Sequence, residues 1–267
     1  MTCSRASRAC SAGDDVRIDL DFEWIEAVML AGVRMIAFIV IAPPFSSNAF
    51  PLRIKGMLAL GLAVAVAPVV TPGYVSPDTG TYIVSLVIEL VVGAILGFLV
   101  MVVFSAIQSA GNLIDLFGGF TLAQGFDPQL QINGAQFTRL FQMTALALMF
   151  ASGGYQLVIG GLASTFTAIP IGGGIDLAMP VEAITGATGQ MLMSALQIAG
   201  PMIVVLFLAD AGLGLLTRVA PALNAFALGF PIKILLTLLL VPMLFVALPE
   251  IVNSVTKTAV GEMAGVR

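Results

Sequence analysis

Formal charges are so widely spaced between Ala27 and Pro249 that the chain reads as a succession of apolar runs, and this spacing limits its fold more than any other feature. Residues 90–114 give 25 positions without an Asp, Glu, Lys or Arg, residues 140–175 give 36, and residues 183–209 give 27. A bilayer's hydrocarbon core is about 30 Å thick and takes roughly 20 apolar residues of helix to cross, a length that soluble cores do not need repeatedly. Hydrophobic residues make up 59% of the chain, against roughly 45–50% in a soluble domain. The expected fold is an all-α integral membrane protein with about six apolar segments.

Composition removes several function classes. The 11 basic and 15 acidic residues leave a net charge of −4, and no basic cluster suited to phosphates occurs, so nucleic acid is not an expected partner. Histidine is absent and the two cysteines, Cys3 and Cys10, lie in the polar N-terminal stretch, which argues against haem, zinc and Cys/His catalysis. No cofactor or metal is expected. There is no HExxH, GxSxG or P-loop pattern, so the chain does not read as an enzyme. Residues 1–16 read as a polar, disordered tail or the product of an upstream start codon, and 17–267 as one membrane domain. Acidic rather than basic residues precede the first apolar stretch, so no cleavable signal peptide is expected.

Segment one spans residues 24–42 and stops at Pro43-Pro44, and segment two spans 54–70. Segment three, 81–114, carries Glu89 and a Gly93-xxx-Gly97 pair that would let two helix backbones approach closely. Residues 115–139, rich in Gly, Gln and Phe, form the longest region between spans. Segment four, 140–175, is too long for one crossing and is interrupted at Ser152-Gly153-Gly154-Tyr155, giving half-length helices over 140–151 and 156–169. Pro170 and Gly172-Gly173-Gly174 end it. Segment five, 183–209, carries Pro201, and Lys233 divides segment six into 219–232 and 234–249. Broken helices survive in hydrocarbon only where protein or a water-filled cavity covers the backbone, so the chain should need neighbours. Arg53, Lys55, Arg139 and Arg218 follow segments one, three and five, which places those loops in the cytoplasm and both termini outside; Arg5, Arg8 and Arg17 point the other way.

Arg34, Glu89, Asp210, Arg218 and Lys233 fall in apolar segments, where a central charge costs roughly 2.5–3.5 kcal/mol on insertion scales. Either they form an ion or proton relay, or they snorkel or pair across helix contacts. Snorkelling suits Arg34, Arg218 and Lys233.

The stretches APPFSSNAFPLRIKGMLALGLAVAVAP (42–68), GNLIDLFGGFTLAQGFDP (111–128), TAIPIG (167–172) and LADAGLGLLTRVAPALNAFALGFPIK (208–233), matching together in order and spacing, resemble the FliR family of type III secretion export-apparatus subunits. The resemblance covers residue 24 to the C-terminus. It implies a structural subunit of the export gate in the bacterial inner membrane, at the flagellar basal body. A single copy would join P-type and Q-type gate subunits and other export-apparatus membrane subunits in a helical hetero-oligomer of kinked helical hairpins, lipid-bounded, passing unfolded flagellar proteins.

The resemblance also implies a plug-like loop within about 115–139. Phe117, Phe120 and Phe126 would supply bulk, Gly118 and Gly119 flexibility, and Gln124 and Gly125 complete the loop. An ordinary re-entrant or interfacial loop is the alternative. Asp115, Asp127 and Arg139 around it either latch to a neighbouring subunit or mark a solvated rim. Glu89, Asp210, Arg218 and Lys233 are packing or latch candidates, and Pro221, Gly229 and Pro231 set bends in the last segment. A small secondary transporter coupled through Glu89 and Asp210 is the competing reading.

Overall fold

A computed structural model describes residues 22–47, 50–121, 136–173, 178–220 and 225–265. Seven helices follow in order: α1 (Phe22–Ile41), α2 (Leu52–Val70), α3 (Thr79–Phe117), α4 (Gln136–Ala151), α5 (Gly154–Ala168), α6 (Ala178–Val219) and α7 (Ala225–Gly265). Among the described residues there is no strand. α1, α2, α3, α6 and α7 are each long and apolar enough to cross a membrane, and the bent pair α4–α5 adds a sixth span if taken as one. The all-α membrane reading holds.

The long central helix α3 organises the rest. It packs on α1, α4, α6 and α7, most extensively on α6 and α1. Asp78 begins it, its carboxylate accepting the Gly80 N–H at 3.3 Å. α1 lies parallel to α3, and the Gly93-xxx-Gly97 pair is why the two can meet. A Cβ on Gly93 would overlap the Arg34 carbonyl and come within 2.9 Å of Ala37 Cβ, and one on Gly97 would lie 3.1 Å from both Ile41 Cβ and the Phe38 carbonyl oxygen. α2 runs back along α1, with Gly32 facing Ala63 and Gly56 facing Ile36. Leu96, Leu99, Val100 and Ile107 of α3 are fully buried with Phe38 and Met35 of α1.

The break expected at residues 152–155 is real. α4 and α5 meet at 75°, and Gly153 has φ +73°, a left-handed conformation that glycine adopts freely. Two other expectations fail. Lys233 does not divide the last segment, because α7 continues through it and through Pro231, Pro242 and Pro249. Likewise α6 runs 42 residues through Pro201, whereas α2 ends at Val70 as expected. At about 1.5 Å per residue, α6 and α7 are roughly 60 Å long, about twice the hydrocarbon thickness.

The linker between α2 and α3 closes over the start of α1, where Ser76 Oγ donates to Glu26. Tyr74 lies beside the same carboxylate without meeting hydrogen-bond geometry, its hydroxyl buried. Burial first, then the Glu26 charge, pushes its phenol up to about 12.

Gly93→Ala is expected to force α1 from α3 and cost about 1–3 kcal/mol as overpacking does, read as lost membrane-inserted protein in a denaturation series. Gly61→Ala, where an added Cβ meets nothing within 4 Å, should leave the yield unchanged.

Candidate functional site

Among the described residues, three sets of polar groups interrupt the apolar body, and each joins two or more helices. In the first, Arg34 is fully buried and does not snorkel. Its Nε and Nη2 donate to the two oxygens of Glu89 at 2.5 and 3.0 Å, a bidentate fork. Its Nη1 donates to the Ile169 carbonyl at 3.0 Å, just past α5, and the guanidinium lies 4.3 Å from the centre of the Phe166 ring. Glu89 Oε1 also accepts the Gly172 N–H at 3.3 Å. Gly172 has φ +72°, so the turn that ends segment four is shaped to present this amide to Glu89.

The second set holds the base of the expected plug. Asp115 does not lie on a solvated rim. It is fully buried and accepts the Phe137 N–H at 3.0 Å on one oxygen, and the Thr138 N–H and Oγ–H, both at 2.8 Å, on the other. The carboxylate of α3 thus caps the first turn of α4, satisfying amides that a helix start leaves unpaired and meeting the positive end of its dipole. Gly111, one turn earlier, makes room: a Cβ there would lie 2.8 Å from Thr138 Cα.

On the near side, Phe117 ends α3 and Gly118-Gly119 form a turn. Gly118 is pressed against Thr237 and Gly119, φ +83°, against Phe230, both of α7. These glycines therefore answer close packing and a left-handed backbone. Phe120 meets Phe137 edge to face, with centroids 5.0 Å apart and planes at 82°. The stretch just before residue 122 is therefore tied both to α7 and to the start of α4. Gln124, Gly125, Phe126 and Asp127 lie outside the described residues.

The third set is the ion pair of Asp210 on α6 with Lys233 on α7, 2.6 Å apart and partly exposed. Asp210 does not reach Arg218, which is exposed in the last turn of α6, where a cation favours the helix dipole. Arg139 is exposed in the first turn of α4. Gly229 approaches Leu213 of α6, Pro231 is exposed inside α7, and Pro221 lies outside the described residues. Spacing along the chain carries no sign of the Arg34–Glu89 and Asp210–Lys233 pairings or of Thr138 as the partner of Asp115.

Residues 25–259 match the model of the bacterial export proteins, family 1. The chain belongs to this family. Among its relatives, the flagellar biosynthetic protein FliR of Escherichia coli (strain K12) is 31% identical over 211 residues, covering 79% of this chain and 81% of the relative. FliR of Bacillus subtilis (strain 168) is 29% identical over 216 residues, 78% and 82% of the two chains. The Yop proteins translocation protein T of Yersinia pestis is 28% identical over 204 residues, 75% and 78%. The resemblance drawn from the four motifs is thus upheld, and this member of the bacterial export proteins is membrane-embedded.

Glu89→Leu would leave a buried guanidinium without its counter-charge, a loss of about 3–5 kcal/mol, expected as near-complete disappearance of the chain from membranes on immunoblots. Arg34→Met combined with Glu89→Leu should restore much of it. Asp115→Ala orphans two amides and a hydroxyl, each orphaned group costing about 1–3 kcal/mol. Limited proteolysis should therefore cut between α3 and α4 sooner in Asp115→Ala than in Asp115→Asn, which keeps one acceptor.

Proposed function

We propose that this chain is a structural channel subunit of the flagellar type III export gate. A single copy assembles with P-type and Q-type subunits in the bacterial inner membrane at the flagellar basal body. The family match over residues 25–259 carries the reading. The similarity to FliR proteins supports the flagellar assignment over a virulence system, and motility testing of a deletion strain decides it.

The structure supports the need for partners. Much of α2, α6 and α7 remains uncovered by the chain itself, including Leu239 and Val246 of α7 and Leu215 of α6. Helices about 60 Å long extend beyond one bilayer, so their apolar surface requires protein outside the hydrocarbon as well as lipid within it. The subunit supplies no nucleotide motif, and energy for export comes from other components.

Residues 117–126 act as the plug. Aromatic bulk seals a narrow pore against ions and water, and the packing of Gly118, Gly119 and Phe120 against α7 and Phe137 supports a firm base for it. The transporter reading loses its footing, because Glu89 and Asp210 are each paired with a cation of this chain.

Deleting 117–126 in cells that express the whole gate should make the membrane leaky to ions and small solutes, measured by dye uptake and membrane potential. Unchanged leakage overturns the plug assignment. Affinity purification of the tagged chain should recover P-type and Q-type subunits, and a lone monodisperse chain able to support export would sink the gate reading.

A further inference from the structure

A cavity of about 220 Å³ opens between the turn after α1, the middle of α3 and the first half of α4. Its hydrogen-bonding groups are Ser46 and Ser47 from the turn, Ser105 and Gln108 from α3, and Gln142 from α4, set among apolar neighbours such as Phe104. Ser105 donates to the Val102 carbonyl at 2.6 Å. Among the described residues, the side chains of the other four make no hydrogen bond within the chain.

This position is costly for such groups. Ser105 and Gln108 fall inside the 25-residue stretch of α3 that carries no charge. Each unpaired polar group in hydrocarbon costs several kcal/mol, so a lipid-facing mouth would leave two carboxamides and two hydroxyls unsatisfied. The cavity must therefore be wet or filled by a polar occupant. Among the described residues no charged side chain lines it, which leaves phosphates, carboxylates and cations without a counter-charge there. Hydroxyls and carboxamides both donate and accept, as the peptide group does. The volume is below the roughly 300–1,000 Å³ of small-molecule sites and suits a residue or two of extended chain.

The cavity lies about two helical turns from the Asp115 cap. Gln108 is seven residues before Asp115, about 10 Å along α3, and Gln142 is five residues after Phe137 on α4. Both helices are joined there by the Asp115 cap.

We infer that this seam is a water-accessible contact for the backbone of an unfolded polypeptide, read by uncharged hydrogen bonds and so indifferent to sequence. The inference rests on the export-gate reading and adds where the passing chain touches this subunit. Serines and glutamines hold a peptide group weakly, since the net worth of each such bond is only about 0.5–1.5 kcal/mol, and a passing chain must let go as readily as it binds.

The test uses the assembled gate in native membranes, with Cys3→Ser and Cys10→Ser as background. A photo-crosslinking amino acid is placed at Gln108, at Gln142 and, as control, at Val246 on the outer face of α7. An export substrate fused to a folded domain stalls in the gate. Crosslinks from 108 and 142 to the stalled substrate, absent from 246, are expected, together with several-fold faster labelling of Gln108→Cys and Gln142→Cys than Val246→Cys by a water-soluble maleimide. Crosslinks from 108 and 142 to sister subunits or lipid, or labelling no faster than at 246, overturn the seam. Gln108→Leu with Gln142→Leu should slow export several-fold at normal gate yield, and Gln108→Asn with Gln142→Asn should recover it; export at the normal rate in the leucine variant counts against the seam. Swimming and substrate secretion are scored in a deletion strain complemented by the background chain. If neither depends on the chain, the export-gate reading itself fails, whereas negative crosslinks in a chain-dependent system refute the seam alone.

Discussion

The buried fork between Arg34 and Glu89 sets where three helices stand. Arg34 acts twice at one point: its backbone carbonyl is the atom that excludes any side chain at position 93, and its guanidinium demands the carboxylate at position 89. Glu89 and Gly93 are one turn apart on α3, so steric fit and charge balance are met in the same register. Slide α3 by one turn along α1 and both fail together. Phe166, the Ile169 carbonyl and the Gly172 amide bring the end of α5 to the same place. Desolvation offsets much of the Coulombic attraction of such a pair. Its contribution is to make wrong arrangements expensive.

The device recurs at the far end of α3. Gly111 admits the start of α4 and Asp115, one turn on, caps it. A glycine and a carboxylate four residues apart thus serve twice on one helix, once to hold α1 and once to hold α4. Between them lies a face of Leu96, Leu99, Val100 and Ile107 that packs without polar groups. Apolar packing is permissive about register, and the polar ends of α3 remove that freedom.

Local rules made much of the fold legible in the sequence, and pairing rules made much of the site illegible. The bend at residues 152–155 could be read because consecutive glycines weaken a helix wherever they occur. The Gly93-xxx-Gly97 contact was legible for the same reason, although its partner was not. Lys233 misled, since a lone cation in an apolar run looks like a boundary until Asp210 is brought beside it by the α6–α7 hairpin. Pro201 misled as well, since α6 absorbs it without a break. Asp115 looked like a rim residue because a Gly- and Phe-rich stretch follows it; nothing in the spacing announces that Thr138 folds back onto it.

The prolines of α7 have a consequence for whatever surrounds this chain. Pro231, Pro242 and Pro249 are separated by 11 and 7 residues, both close to whole numbers of helical turns, so they share one side of the helix, and all three are exposed. Each withholds the amide that would bond the carbonyl four residues earlier, at residues 227, 238 and 245, which align along the same side. A greasy helix therefore displays a row of backbone acceptors. Lipid tails have no donors to offer them, so the neighbour best suited to this side is one that brings hydroxyl, amide or guanidinium hydrogens at matching intervals of about 16 and 10 Å.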